Sequence, residues 1–524
     1  MTQIISDTLL LQLSEFVSIH MGLYFPIERQ RDLERGICSA AGEFGFKDTE
    51  SCIQWLLSSP LTKNQVEILA SYLTVGETYF LRDKKSFEIL KGHILPELIR
   101  SRAHTEKRLR IWSAGCATGE EAYSIAISLD KILPDLKDWN ITVLATDINP
   151  RFLQKASEGI YNEWSFRDTL PCIKLKYFKK TKENNYALLP HIKKLVTFSY
   201  LNLVDDVYPS LLNNTNAMDV IFCRNVLMYF SQDCQRKVIQ NLYRCLVDNG
   251  WLIVSPSETS HVLFSQFAMV NFPGATFYKK DSKRPQIIED FVSKEIPSSP
   301  ASEMTVPFKT PFEYFREPEM ESSFLQEFQG PFPLETEEQK TEKTQPISYT
   351  EALALYEQGC YSEAAEKIAK SLSLNQNDAK AMLLLTRVCA NQGKLAEALE
   401  WCEKAIFADK LNPCSHYLLA TILQERGRIE EAAVSLKRAL YLDQNFTLAY
   451  FALGNLANKQ GKVKESKRHF ENALLILNGY RQEDVLPESE GMTAGRLQEI
   501  ITTMKMQDSR FKTQDVSKDL KLVT

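Results

Sequence analysis

The residues best suited to chemistry fall in three stretches of a 524-residue sequence. Ser113–Thr118 is a run of small side chains, with Gly115 and Gly119 placed where a backbone turns tightly or comes close to a ligand. Arg110-Ile111-Trp112 before it reads as a buried strand, and Ala122, Ile125, Ala126 and Leu129 after it recur at helical spacing. A strand feeding a glycine turn and a helix is how α/β folds build cofactor pockets at the carboxyl ends of their strands. The run is neither G-x-G-x-x-G nor a P-loop, because no Gly-Lys-Ser/Thr follows, so alone it signals a nucleotide-like ligand only weakly. Asp147 closes a second apolar run, and an acid roughly two dozen residues past such a turn is placed to accept hydrogen bonds from ribose hydroxyls. A lone acid at a strand end more often caps the next helix, and only the upstream turn tips the balance toward ribose. Leu73-Thr74-Val75-Gly76-Glu77-Thr78-Tyr79-Phe80-Leu81-Arg82-Asp83 closes with an aromatic pair and an arginine, able to cover a ligand or to serve only as a linker.

What is missing narrows the chemistry. The eleven cysteines are an odd number without a C-x-x-C pair, which argues against a zinc site and a disulfide framework and for a reduced, cytoplasmic compartment. No metal site is expected. A net charge of −5 argues against a general nucleic-acid binder. No apolar run reaches the ~18 residues of a membrane span, and the N-terminus lacks the basic region of a secretory signal.

The elements that must position these residues divide the chain. Residues 1–75 read as a helical module. Arg29, Arg31, Arg35 and Lys47 recur there among Glu28, Asp32 and Glu34, as a solvated face or as a docking surface for an acidic partner helix. Over 76–280 apolar strands at 109–112, 141–146, 195–200, 218–223 and 250–255 alternate with helical patterns, and two aromatic segments near 267–272 and 276–279 follow. That alternation implies a mostly parallel sheet covered on both faces. Residues 281–344 are proline-rich without apolar periodicity and read as a disordered linker. Beyond it Gly359, Gly393, Gly427 and Gly461 recur every 34 residues, as do Ala364, Ala398, Ala432 and Ser466. Ser371, Ala405, Ala439 and Ala473 keep the same period, the tetratricopeptide signature, giving four repeats over 345–480. Residues 481–524 hold a helix over Thr493–Met506 able to cap the stack, then a frayed tail.

Residues 1–280 resemble the chemotaxis-receptor glutamate methyltransferases, the CheR family, in the variant with C-terminal tetratricopeptide repeats. The resemblance is carried by Glu77–Asp83, Trp112–Glu121, Ala145–Ile148, Asn202-Leu203 and Phe222–Phe230, in that order. It implies a Rossmann-like α/β domain that binds S-adenosyl-L-methionine and esterifies glutamates of a methyl-accepting chemoreceptor-like protein. Membrane contact would be only indirect, through the receptor. The array would serve localisation or regulation through an unidentified protein partner.

Carried over by motif, Thr78 and Arg82 approach the methionine end of the cofactor, with Gly115 and Gly119 making room. Glu121 lies by the adenosine or amino-acid portion, Asp147 by the ribose or adenine, and Asn202 and Leu203 flank the adenine. Arg224 and Asn225 line the pocket near the methyl donor, Tyr229 faces the reacting centre, and Arg82 orients the incoming carboxylate. Blander readings stand beside these: Tyr229 as a core aromatic, Arg224 as a tie between loops, Glu121 as a partner of its helix dipole, and Cys116 and Cys223 as packing residues. Gly76 stands where some members have an asparagine. Tyr177–Lys194, the counterpart of a small β-subdomain (about 175–195), contains no glycine, so the tethering-peptide grip of some members is not expected. The alternatives are a catalytically weak cofactor-binding scaffold working through its repeats, and a methyltransferase for a different acceptor.

Overall fold

The structure is a computed structural model and describes residues 5–59, 61–103, 107–133, 135–210, 213–281, 347–489, 492–498 and 500–502. The proline-rich stretch and the last residues of the tail lie outside these, as does the end of the helix expected over Thr493–Met506, whose described part is helical at 494–498 and 500–502.

Four helices open the chain, and three of them start on a side-chain cap. Helix α1 (Asp7–Met21) starts on Ser6, whose hydroxyl accepts the Leu9 N–H, and stops at Gly22 in the left-handed region (φ 73°). A Cβ at Gly22 would also lie 2.6 Å from Val204, so the turn is fixed by close approach as well as by φ. Helix α2 spans Gln30–Glu43, and α3 (Thr49–Leu57) is capped by Asp48. Thr62 and Gln65 close a capping box on α4 (Lys63–Leu73). Their apolar faces, including Leu13, Val17, Leu33, Ile37, Ile53 and Leu69, share one core with Trp112, Leu144 and Ile221 of the sheet. The helical module is thus built onto the α/β unit.

The sheet has seven strands in the order β6-β2-β1-β7-β8-β10-β9. Strands β1 (Arg108–Ala114), β2 (Asn140–Asp147), β6 (Val196–Tyr200), β7 (Met218–Phe222) and β8 (Leu246–Ile253) run parallel. Strands β9 (Ala268–Phe272) and β10 (Ala275–Lys279) are antiparallel additions at one edge. All residues of β1 and β7 are buried, as a central strand covered on both faces requires. The chain winds outward from β1 through β2 to β6, then returns to lay β7 on the other side of β1. Strand order therefore reverses between β1 and β7, the point where open α/β sheets leave a ligand crevice at the strands' carboxyl ends.

A second sheet, β3-β5-β4, is small: Ile160–Tyr161, Tyr186–Leu188 and Phe178–Lys180, all antiparallel. Its β4–β5 turn uses Asn184 at φ 60° in place of a glycine.

Four helix pairs follow the proline-rich stretch: Ile347–Glu357 with Tyr361–Leu374, Ala379–Asn391 with Leu395–Ala408, Pro413–Glu425 with Ile429–Leu442, and Thr447–Lys459 with Val463–Leu477. Gly359, Gly393, Gly427 and Gly461 take φ of 79°, 76°, 75° and 72° between the two helices of each pair. Ala364, Ala398, Ala432 and Ser466 are buried where those helices cross. Among the described residues no helix is long and apolar enough to cross a membrane.

Candidate active site

A cleft of about 730 Å³ opens at the carboxyl ends of β1, β2, β6 and β7, with the N-terminal helices as its opposite wall. Gly115, Ala117, Asp147, Asn202, Leu203, Asn225 and Tyr229 line one side; Met21, Leu23, Phe25, Arg29, Leu73, Thr74 and Val75 line the other. Its mixed apolar and polar lining is that of a small-molecule site.

Asp147 is the buried charge at its floor. One carboxylate oxygen accepts the Ala117 N–H at 2.8 Å and the other the Asn149 N–H at 2.9 Å. Burial pushes its carboxyl up to about 6, against backbone donors at Asn149, Ala117 and Ile148 that favour the charged form. The helix cap beyond β2 is Asn149, whose Oδ1 accepts the N–H groups of Arg151 and Phe152, so Asp147 is left to face the cleft. The Asn149 amide also donates to Thr74 Oγ1 at 2.9 Å and to the Ala70 carbonyl, tying the end of β2 to the end of α4.

The glycine turn brings its backbone to the same place. Gly115 sits at φ 77°, and a Cβ there would lie 2.4 Å from Val226, so turn and loop touch backbone to side chain. Gly119, at φ 91°, does not line the cleft; it lets the turn pass Ala156 and enter the helix Glu120–Ile132. Glu121 lies behind the turn, accepting from Ser113 Oγ at 2.8 Å and from Arg224 at 3.1 Å. Arg224 also reaches Asp83 at 3.4 Å, so its buried guanidinium joins the Thr78–Asp83 segment, the glycine helix and the end of β7.

Thr78 and Arg82 stand outside the cleft wall. The Arg82 guanidinium donates to the Glu77 carbonyl at 2.6 Å and lies over the Tyr79 ring. The segment is nonetheless bent into place: Leu81 and Asp83 both hold positive φ, at 57° and 60°. The departure at Gly76 has a steric partner in Phe152, whose ring would lie 2.5 Å from a Cβ at that position. Phe152 itself lines the cleft and fills the space a side chain at 76 would need.

At the other end, the Arg29 guanidinium stacks 5.1 Å from the Phe25 ring and 5.2 Å from the Tyr229 ring. The Tyr229 carbonyl accepts the Tyr24 N–H at 2.8 Å, so the helical module and the β7 loop meet around this cation. The Asn202 amide donates to the His20 carbonyl and to Asp205, which fixes its orientation in the wall. The sequence shows Arg29 only as one of several basic residues and Thr74 only within the Leu73–Asp83 run, and gives no sign of Phe25 or Phe152 as site residues.

Glu258 is the other residue the sequence reading passes over. Its carboxylate accepts the N–H groups of Asn225, Val226 and Met228 and the Ser255 hydroxyl. It thereby holds Asn225 at φ 56° on the cleft wall. Ser255-x-x-Glu258 is a capping-box spacing, the one signal in the sequence that points to it. Cys116 and Cys223 are buried with thiols pushed well above their usual range by desolvation, which suits packing residues rather than nucleophiles.

Residues 76–274 match the family described as CheR methyltransferase, SAM binding domain. Residues 349–413 and 415–446 match tetratricopeptide repeats. A probable chemotaxis protein methyltransferase of Rhizobium etli is 34% identical over 206 residues, covering 39% of this chain and 75% of the relative. A chemotaxis protein methyltransferase of Borreliella burgdorferi is 31% identical over 253 residues, covering 47% of this chain and 88% of its own. Chemotaxis protein methyltransferase 2 of Vibrio cholerae is 36% identical over 220 residues, covering 42% and 74%. The cleft suits the cofactor named in the family description: a buried carboxylate for hydroxyl donors, a close glycine backbone, and apolar walls at Leu203, Ile148 and Phe152.

Proposed function

This chain belongs to the CheR family of S-adenosyl-L-methionine-dependent methyltransferases, and on that premise we propose that it methylates glutamate side chains of a chemoreceptor-like signalling protein. The observation that carries this reading is one cleft with a buried carboxylate, Asp147, at its floor and a cation between two aromatic rings, Arg29, in its wall.

When bound, the cofactor supplies a methyl group on a sulfonium, open to in-line attack by a carboxylate oxygen. Asp147 accepts the ribose hydroxyls with the lone pairs its two backbone donors leave free, and the oriented Asn202 amide and Leu203 flank the base. Gly115 and Asn225 bring backbone close to the rest of the ligand. Arg29 attracts the acceptor carboxylate, and Tyr229, stacked beneath it, lines its path. Free glutamate has a pKa of ~4.3 and arrives ionised near pH 7, so no side chain has to remove a proton. The residues' task is to hold two reactants in line, worth up to ~7–11 kcal/mol of the barrier in well-oriented pairs, and to keep water out. Glu121 and Arg224 act from behind the wall, bonded to each other and to Ser113 and Asp83, and so shape the glycine turn and the end of the Thr78–Asp83 segment on which Thr78 and Arg82 stand; Gly119 provides that turn's exit. The repeats recruit a protein partner, which places the enzyme or regulates it.

The test is transfer of labelled methyl from S-adenosyl-L-methionine to receptors from the same cell. Base-labile label on glutamates is the expected result. Cofactor binding without transfer would replace this reading with a scaffold.

A further inference from the structure

The first helices of the repeats are covered on two sides. Ala379–Asn391, Pro413–Glu425 and Thr447–Lys459 bury ten, seven and eight residues, whereas their partners Leu395–Ala408, Ile429–Leu442 and Val463–Leu477 bury four each. Each of these first helices packs against its own partner and against the second helix of the repeat before it; the burial beyond its partner's needs a further neighbour. Part of that neighbour is the chain's own C-terminal segment. After the last repeat helix the chain turns back as a hairpin: Val485 bridges Thr493, Leu486 N–H donates to the Met492 carbonyl, and Ala494 N–H donates to the Asp484 carbonyl. Leu486, Met492, Leu497 and Ile501 are buried in one cluster with Tyr417, Phe446 and Phe451. At the hairpin tip Glu488 forms an ion pair with Arg387, in the first helix of the second repeat. The segment follows the fourth repeat, so this contact reaches back across the array. Glu488 makes it at φ 62°, a conformation an L-residue keeps only when its surroundings impose it.

We propose that the inner groove of the array is a peptide-binding site held by the chain's own C-terminal residues Leu486, Glu488, Met492, Leu497 and Ile501, and that its protein partner is an acidic peptide that displaces them. Arg387 takes the partner's carboxylate in place of Glu488, and the seat of Leu486 takes an apolar side chain two residues before it. An intramolecular occupant at high effective concentration raises the threshold for any partner without changing the groove. The inference builds on the repeats being a protein-binding module. Peptide binding is read without methyl transfer, so its failure is separate from failure of the catalytic reading.

The probe is a labelled peptide of residues 481–502, and binding is followed by fluorescence anisotropy on the full-length chain. Glu488→Lys, which repels Arg387, is expected to bind the probe about tenfold more tightly than the native chain, the scale of one lost charge pair. Arg387→Glu is expected to prefer a probe carrying Glu488→Lys over the native probe. In the full chain, Arg387→Glu with Glu488→Lys is expected to close the groove again and recover the native melting temperature. Equal probe binding by Glu488→Lys and the native chain overturns the proposal, as does the lack of any recovery in the charge swap.

Discussion

The carboxylate of Glu258 accepts the backbone N–H of Asn225 at 2.7 Å, and that one bond sets the wall of the cleft. Asn225 is held in the left-handed region, one residue before the Val226 side chain that meets Gly115. Removing the acceptor leaves several N–H groups with no partner, at about 1–3 kcal/mol for each group that stays buried. Glu258→Ala is therefore expected to weaken cofactor binding by at least about tenfold, a cost of ~1.4 kcal/mol. Glu258→Gln, which keeps one acceptor oxygen, should lose less. Calorimetric titration with S-adenosyl-L-methionine checks the order; equal affinities for all three chains would refute it.

Asp147 makes cofactor binding depend on pH. Its folded pKa is raised from 3.8 to about 6, so its contribution to the stability of the ligand-free chain is fully present below 3.8 and lost as pH rises through 6. Hydroxyl donors favour the charged form, so ligand uptake pulls against this burial and releases a proton. Affinity for the cofactor is expected to rise with pH up to about 6, approaching tenfold per unit below it, and to level off above. Asp147→Asn should bind weakly with a flat profile over the same range. A native profile as flat as that of the variant would remove Asp147 from the ribose role.

Gly76 and Phe152 are a coupled pair. Gly76 is not in the left-handed region, and the Phe152 ring is what a side chain there meets first. Gly76→Ala should destabilise the chain by about 1–3 kcal/mol, the usual cost of overpacking. Phe152→Ala, which opens the space, should remove most of that cost in the double variant. Thermal unfolding of the four chains gives the coupling, and additive effects would show that the contact is not the cause.

Legibility in the sequence followed the range of the interaction. The strands and the 34-residue repeats were readable because burial on a β-strand and at a helix crossing leaves a periodic trace. Asp147 was readable as a pair with the glycine turn, but whether it capped a helix depended on Asn149, two residues on. The site wall from α1 to α4 was not readable. Arg29 looks like any exposed helix charge until the fold stacks it between Phe25 and Tyr229. Arg82 shows the opposite limit: the motif carries the residue, yet its guanidinium turns to the Glu77 carbonyl and the Tyr79 ring.

Arg29 should therefore matter to the acceptor more than to the cofactor. Arg29→Ala is expected to raise KM for the protein acceptor about tenfold or more, as loss of one charge-assisted contact does, and to leave cofactor affinity nearly unchanged. Tyr229→Phe should keep the stacking and most of the activity, while Tyr229→Ala should behave like the arginine variant. Steady-state kinetics with each substrate varied in turn decides this, and an Arg29→Ala effect confined to the cofactor would reverse the assignment.

Glu425 links the array to the sheet through charges that water cannot reach. It ends the first helix of the third repeat and lies 3.1 Å from Arg108 and 3.8 Å from Arg110, the opening residues of β1. Asn216 donates to its carboxylate and Asn140 to its carbonyl. All three charged side chains are almost fully buried, so each has given up hydration that mutual attraction only just returns. Taking away the shared anion leaves two guanidinium groups facing each other, and Glu425→Ala is expected to cost about 3–5 kcal/mol. Replacing Arg108, Arg110 and Glu425 together with methionine removes the desolvation cost along with the attraction, and should recover most of the loss. The two outcomes separate a buried network that specifies docking from one that supplies the stability. If the single variant melts within a degree of the native chain, Glu425 does neither.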